Sequence, residues 1–341
     1  MTLNPTMIDC PVHFIRKPLS MLTPQMVLVL MAIMLPHAYA QDNYPTRAIR
    51  IVVPSAPGGS SDIGARLIAQ RLSERWGRPV VVENRAGAGT IIGTELVARA
   101  PPDGYVLLMA PGALATLSYT YKKLPFDPVR DFVPITQTLM VPNLIVAHPS
   151  LPAKSIKELI ALAKARPGEI FYASAGHGTQ PHLTMELFLM MAQIRMGHVP
   201  YKGGAPGITD LVGGQVALMS TSSMSLLIPH VRSGRLRALG VTSTTRNQAL
   251  PEVPTVIEGG LPGYESVQWS GLLAPAGTSR DIIVRLHKEA TAILHMPETR
   301  ERLRGDGSEV VASSPEEFAA FIQAEIMKWG KVVKAAGIKP E

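Results

Sequence analysis

Short β-branched apolar runs alternate along this chain with longer stretches of helical spacing. Ile49–Val53 reads IRIVV, a strand, and a loop over 54–61 follows it. Asp62–Trp76 then places Ile63, Leu67, Ile68 and Leu72 at helical intervals. Val80–Glu83 and Tyr105–Ala110 predict further strands around a second helix, Gly89–Ala100. Later strands are expected at Leu144–Ala147, Ile170–Ala173, Val216–Ser220 and Leu239–Thr242. Helices are expected near Ile156–Ala165, Leu183–Ile194, Ile208–Val212 and Leu226–Ser233. Strands alternating with helices of this length predict an α/β fold with parallel sheets flanked by helices.

Several helix starts are explicit. Ser155 with Glu158 spells a capping box, in which each side chain bonds the other's backbone N–H. Ser314-Pro315-Glu316-Glu317 adds proline at the first helical position, and the helix it opens carries Phe318, Phe321, Ile322, Ile326, Trp329 and Val333 on one face. Thr278 with Asp281 predicts a similar start for Ile282–Leu294, with Pro297 beyond its end.

The 341 residues are 46% hydrophobic and 17% charged, too apolar for a disordered chain and long enough for two domains. One apolar stretch approaches membrane length. It runs from Leu19 to Leu35 behind Arg16 and Lys17, and Ala38-Tyr39-Ala40 follows it. Its uninterrupted core is shorter than the ~20 residues of a membrane span, and the order of charge, apolar run and A-x-A predicts an export leader over 1–40, cleaved after Ala40. A retained anchor is the alternative. Cleavage removes Cys10, the single cysteine, which lacks the preceding residues of a lipid-attachment site; the mature chain then has no thiol and relies on core burial. The net charge of +7 favours anions, but no basic run is interleaved with aromatics, which argues against nucleic acid.

Three glycine-rich strand-to-helix corners carry the candidate chemistry. The first is Val53–Asp62, VPSAPGGSSD; its glycines allow close backbone approach, and the following helix aims its positive end at the loop. Asp62 is either the cap of that helix or a partner for a ligand hydroxyl or amine. The second, Asn84–Gly93, reads G-x-G-x-x-x-G, one residue too long for a dinucleotide fingerprint and without an acidic residue after the next strand. The third is Tyr172–His182, YASAGHGTQPH, more than a hundred residues on and assigned to the opposite half. His177 and His182 lack helical metal-site spacing, and no surrounding cluster of ligands is evident, so no metal or cofactor is expected. No nucleophile elbow occurs. The corners supply backbone donors and hydroxyls, which suit binding without turnover.

These motifs resemble the substrate-binding receptors of tripartite tricarboxylate transporters, the Bug proteins. The similarity runs from about Tyr44 onward through APGGSSDIGAR, VVVENRAGAGTIIG, LPFDPVRDFVPI, YASAGHGTQPHL, HVPYKGGAPGITDLVGGQV and LPEVPTVIEGGLPGYE. The resemblance implies a two-lobed periplasmic-binding-protein fold of Venus flytrap form, each lobe a mainly parallel sheet, with 41–137 plus 268–341 as lobe one and 138–267 as lobe two. It implies a small carboxylate held between the lobes. First-lobe contacts would fall on Ser55, Ala56, Pro57, Gly58, Gly59 and Asp62, with Ala88 and Thr90; second-lobe contacts would fall on Ser174, Ala175, Gly176 and Thr179, with His182 at the rim. The implied partners are membrane permease subunits, and the implied receptor is a periplasmic monomer. A ligand-sensing role beside a histidine kinase and an exported enzyme using Asp62 and His182 are the alternatives. Two positions depart from the family: Ser55 replaces an aromatic residue, and Ala217 stands where an aspartate is usual, which weakens the case for an amino acid ligand.

Overall fold

The computed structural model describes residues 44–305 and 307–340; the expected leader and Cys10 lie outside the described residues. Tyr44 alone is described from the first 44 residues, and the fold below is that of Pro45 onward.

The first sheet has six strands. β1 (Ile49–Val53), β2 (Val80–Asn84) and β3 (Val106–Pro111) run parallel in the order β2-β1-β3. Beyond β3 lie β10 (Val267–Pro275), β4 (Phe132–Pro142) and the two-residue β11 (Glu309–Val310), each antiparallel to its neighbour. The second sheet has five strands in the order β7 (Gly197–Pro200), β6 (Phe171–Ser174), β8 (Leu218–Thr221), β5 (Leu144–Ala147) and β9 (Arg237–Val241). Here too one half is parallel, β7-β6-β8, and the rest antiparallel. The α/β architecture therefore stands, but the sheets are mixed rather than mainly parallel. Parallel neighbours require helical crossovers, and the segments that carry the chain between the sheets have none.

Ten helices connect the strands among the described residues: α1 (Ser60–Trp76), α2 (Ile91–Ala98), α3 (Leu117–Thr120), α4 (Ile156–Ala165), α5 (Gln180–Ala192), α6 (Gly204–Val212), α7 (Met224–Arg232), α8 (Arg280–Leu294), α9 (Pro297–Gly305) and α10 (Pro315–Ala335). The face expected for the last helix is its buried one: Phe318, Ile322, Trp329 and Val333 pack inward. α10 lies so close to β10 that a Cβ on Gly271 would stand 2.1 Å from the Phe318 ring, which explains glycine in a strand interior there. Truncating Phe318 to alanine in this core should cost about 3–5 kcal/mol.

The caps partly match expectation. Ser314 and Glu317 form the full capping box. Ser155 accepts from Glu158 N–H, but the Glu158 carboxylate turns to Lys154 N–H at 2.8 Å instead of Ser155. The cap of α8 is Ser279, one residue later than expected, because the Thr278 hydroxyl donates to the Pro275 carbonyl.

The chain passes from β4 to β5 through one residue, Asn143, and returns through 242–266 into β10. Both passages meet in a buried polar node. Asn143 N–H donates to Thr242 Oγ1 at 2.7 Å, Thr242 N–H donates back to the Asn143 carbonyl, and Ser266 N–H donates to the Thr242 carbonyl. The Asn143 amide reaches Gln180 and Thr184 on α5, and Thr184 meets the Ser266 hydroxyl at 2.7 Å. In a dry interior such a network holds its strands in one arrangement, although the buried Asn143 Oδ1 has no partner.

Candidate functional site

Strands β1, β2 and β3 end together, as do β6, β7 and β8 in the second sheet, so the loops leaving them gather at two carboxyl edges. Ligands of open α/β sheets bind at such edges. A cleft of about 1040 Å³ is lined from both sheets, by Pro54, Ser55, Ala86, Gly87, Gly89 and Thr90 on one side and by His177–His182 with His198 on the other. The first and third expected corners thus meet one space.

Local chemistry fixes the first corner. Asp62 is buried in the first turn of α1, where its carboxylate accepts from Gly58 N–H (2.9 Å), Arg66 Nε (3.0 Å) and Asn84 Nδ2 (2.9 Å). Burial raises its pKa, but the Arg66, Gly58 and Asn84 bonds outweigh it and hold the carboxyl below its ordinary value. Asn84 also donates to the Ser55 carbonyl, which ties the corner to the end of β2. Of the two roles open to Asp62, the geometry favours the internal one: it braces the loop and does not line the cleft. Gly93 lets α2 approach this corner, since a Cβ there would stand 2.7 Å from the Arg85 carbonyl oxygen and 2.9 Å from Pro54 Cα. Thr90 holds φ +92°, a strained conformation for a β-branched residue that costs roughly 1–3 kcal/mol and marks functional loops.

The opposing corner is built on Ser174. Its buried hydroxyl accepts from Gly176 N–H at 3.1 Å and meets His198 Nε2 at 2.6 Å. Thr179 precedes α5 but does not cap it, because its hydroxyl donates to the Gly176 carbonyl at 2.7 Å. Gly59 has no side chain with which to cap α1. Both helices thus begin without a side-chain acceptor, and their first-turn N–H groups keep the positive end of the dipole open to an anion.

Among the thirteen expected contacts, Ser55, Thr90, Thr179 and His182 line the cleft. Ala56–Gly59 form an exposed tip beside it, Ala88 is exposed outside the lining, and Ser174, Ala175 and Gly176 lie less exposed outside it. The expectation that no ligand cluster surrounds the histidines is corrected. His198, from β7, stacks on His182 with ring centres 3.9 Å apart, and His177 meets both rings edge-on. Strand pairing of β6 with β7, rather than sequence spacing, brings His198 there. Burial, then His198 and His177, hold the His182 pKa down to about 3; burial and then His177 hold His198 down to about 4. Both rings are therefore neutral at pH 7. Potential metal-ligating atoms of the three lie within 4.8 Å of one another, yet the stacking runs the in-plane lone pairs of His182 and His198 side by side rather than toward one point. His182 Nδ1 also accepts from Gly178 N–H, which places the proton of its neutral ring on Nε2. Neither feature suits chelation.

A fourth corner went unforeseen. The turn Gly112–Ala115 after β3, with Thr116, Leu117 and Thr120, lines the cleft floor beside Trp269 of β10 and Trp329 of α10. Its only sequence signal was a Pro-Gly pair after a predicted strand. Glu186 and Glu325 are the lining carboxylates, and both are engaged: Glu186 accepts from Tyr172 Oη, and Glu325 pairs with Lys328 and accepts from Trp329 Nε1.

Relatives share this arrangement of sheets. The R. palustris protein Rpa4515, solved with adipate, is 38% identical; the match covers 87% of this chain and 100% of that one, with a TM-score of 0.73. MatC (Rpa3494) from Rhodopseudomonas palustris, solved with bound malate, is 32% identical over 85% of this chain and 100% of that one, with a TM-score of 0.69. Protein BugT of Bordetella pertussis is 39% identical over 87% of this chain and 92% of its own length. The model of the tripartite tricarboxylate transporter family receptor matches residues 64–338, and these receptors are solute-binding proteins rather than enzymes. On this match and on its relatives, the chain belongs to the TctC (Bug) family of tripartite tricarboxylate transporter receptors.

Proposed function

We propose that this receptor is exported to the periplasm, binds a small carboxylate in the cleft between its two sheets, and delivers it unchanged to membrane permease subunits of a tripartite transporter. The observation that carries this reading is the pair of glycine-rich, uncapped corners from different sheets on one cleft. Backbone N–H groups and helix dipoles hold a carboxylate at the corners, and Lys339 adds a lining cation. Relatives solved with adipate and with malate support an acid as cargo.

In this reading the lobes divide as 41–137 with 268–341 against 138–267, and the leader ends at Ala40. The ligand residues are those expected from the corners: Ser55–Gly59, Asp62, Ala88 and Thr90 from one lobe, Ser174–Gly176, Thr179 and His182 from the other, with Asp62 acting through the loop it braces. An acid that touches both corners favours the closed arrangement by its extra contacts there, and the Asn143 node is the pivot.

Thermal denaturation of the mature protein against a panel of mono-, di- and tricarboxylates tests the proposal, together with native mass spectrometry of the purified protein. At a hundredfold excess over its dissociation constant, a cognate acid adds about 2.7 kcal/mol of stability. No stabilisation by any acid, with no copurified acid in the mass spectrum, would overturn it.

A further inference from the structure

Seven buried side-chain polar atoms among the described residues have no hydrogen-bond partner, and three of them belong to residues lining this cleft: Thr90 Oγ1, His198 Nδ1 and Trp269 Nε1. Native interiors leave few such atoms, so three on one cleft point to a partner that arrives with the ligand.

Trp269 is the most telling. An indole N–H can only donate, so it has no alternative role as an acceptor. The side chain is 2% exposed and is wedged edge-on against Phe318 and Phe321, with ring centres 5.6 and 5.7 Å away, so it cannot turn to find a partner elsewhere. Its Nε1 faces Gly112, where an added Cβ would sit 3.3 Å from it; glycine keeps that approach open, and Gly112 lines the cleft too. Trp329 lines the same cleft and is as deeply buried, yet its Nε1 donates to Glu325 Oε2 at 2.8 Å. One tryptophan is satisfied by the protein and the other is not.

We propose that the Trp269 indole N–H is a ligand contact, so that the receptor selects acids carrying a second oxygen acceptor in addition to the carboxylate held at the glycine corners. This rests on the reading of the cleft as an acid site. The shared chemistry is an oxygen acceptor, whether the second group is a carboxylate, a hydroxyl or a carbonyl. Leu117, Val267 and Ile338, which also line the cleft, suit an apolar spacer between the two ends.

The test uses matched acids that differ only at the far end: adipate, 6-hydroxyhexanoate, 6-oxohexanoate and hexanoate, titrated calorimetrically into wild-type protein and into Trp269→Phe. A hydrogen bond left unmade by a buried donor should make hexanoate weaker than the best of the other three by about tenfold or more in the wild type. That advantage should shrink to within about threefold in the variant. The ranking of the other three identifies the second group. The wild-type protein, labelled with ¹⁵N at its tryptophan indoles, gives a readout free of any folding defect: one of three indole N–H signals should move downfield with the preferred acid and stay in place with hexanoate. Equal affinity for all four acids, or a Trp269 signal that ignores the preferred acid, would overturn the indole contact and leave the receptor reading intact. Failure of every acid in the wild type to bind, across the wider panel as well, would sink the receptor reading itself.

Discussion

The helix starts of this molecule fall into two kinds. α4 and α10 begin at Ser155 and Ser314, whose side chains accept a first-turn N–H, and neither start lines the cleft. α1 and α5 follow the two opposing glycine-rich corners and begin at Gly59 and Thr179, where no side chain caps the helix. A cap contributes about 0.5–2 kcal/mol; α2, α3, α6, α7 and α8 forgo it too, but at α1 and α5 the open start stands beside a cleft where an anion could supply the acceptor. Because most helices here lack a side-chain cap, it is the cleft beside these two starts, and not the missing cap alone, that singles them out.

Exchanging the two kinds should produce opposite outcomes. Gly59→Asp places a carboxylate at the start of α1, in open space and on an extended backbone that any residue adopts. We expect acid binding to fall by about a hundredfold or more, since like charges brought together cost several kcal/mol, while the melting temperature holds or rises slightly. Calorimetry and thermal denaturation on one preparation would read both; unchanged affinity would remove the first corner from the site.

Acid should next distinguish the cleft from the outer caps. His182 is neutral in the fold with its pKa near 3, against about 6.5 unfolded, so its contribution is complete above pH 6.5 and drains as pH falls toward 3. Between pH 6.5 and 5 His182 alone loses about 2 kcal/mol, read as a lower urea midpoint; His198, held near 4, loses stability over the same window, so His182→Gln should reduce that slope by about half. Glu317, at the α10 cap, is held below its ordinary value by the Ser314 backbone and hydroxyl. Its contribution is present at pH 5 and is lost only as pH falls below 4.5 toward the lowered value. A midpoint that is flat from pH 7 to 5 would mean that the histidine stack is not buried as described.

The smallest effect belongs to the outer cap alone. Ser314→Ala should cost about 1 kcal/mol, or a few degrees in melting temperature, and leave acid affinity unchanged. A change in affinity would show that α10 transmits strain to Trp329 and the cleft floor.

Periodicity was enough for β1, β2, α1, α4 and the Ser314 cap, where burial on one face leaves a regular trace in sequence. It missed β4, β7 and β10. β10 is central and nearly all buried, so it alternates little, and four-residue β7 is too short to carry a period. The first and third candidate corners were legible from their glycine and small residues, whereas Gly112–Ala115, equally small, lacks a second glycine to mark it. The site was opaque where contacts arise from strand pairing: His198 comes beside His182 only because β7 pairs with β6, and Trp269 reads in sequence as one more core aromatic. The meaning of Asp62 also depended on partners, Arg66 and Asn84, that composition cannot assign.

The knot of side chains around Asn143 has a mechanical consequence. A door hung on two fastened pins swings but does not skew, and here both connecting passages are fastened to each other and to α5. In the proposed closing motion, each stroke would then present the same pair of opposing surfaces at the same offset. Discrimination between acids that differ by a single methylene would rest on span, with little left to the angle of docking.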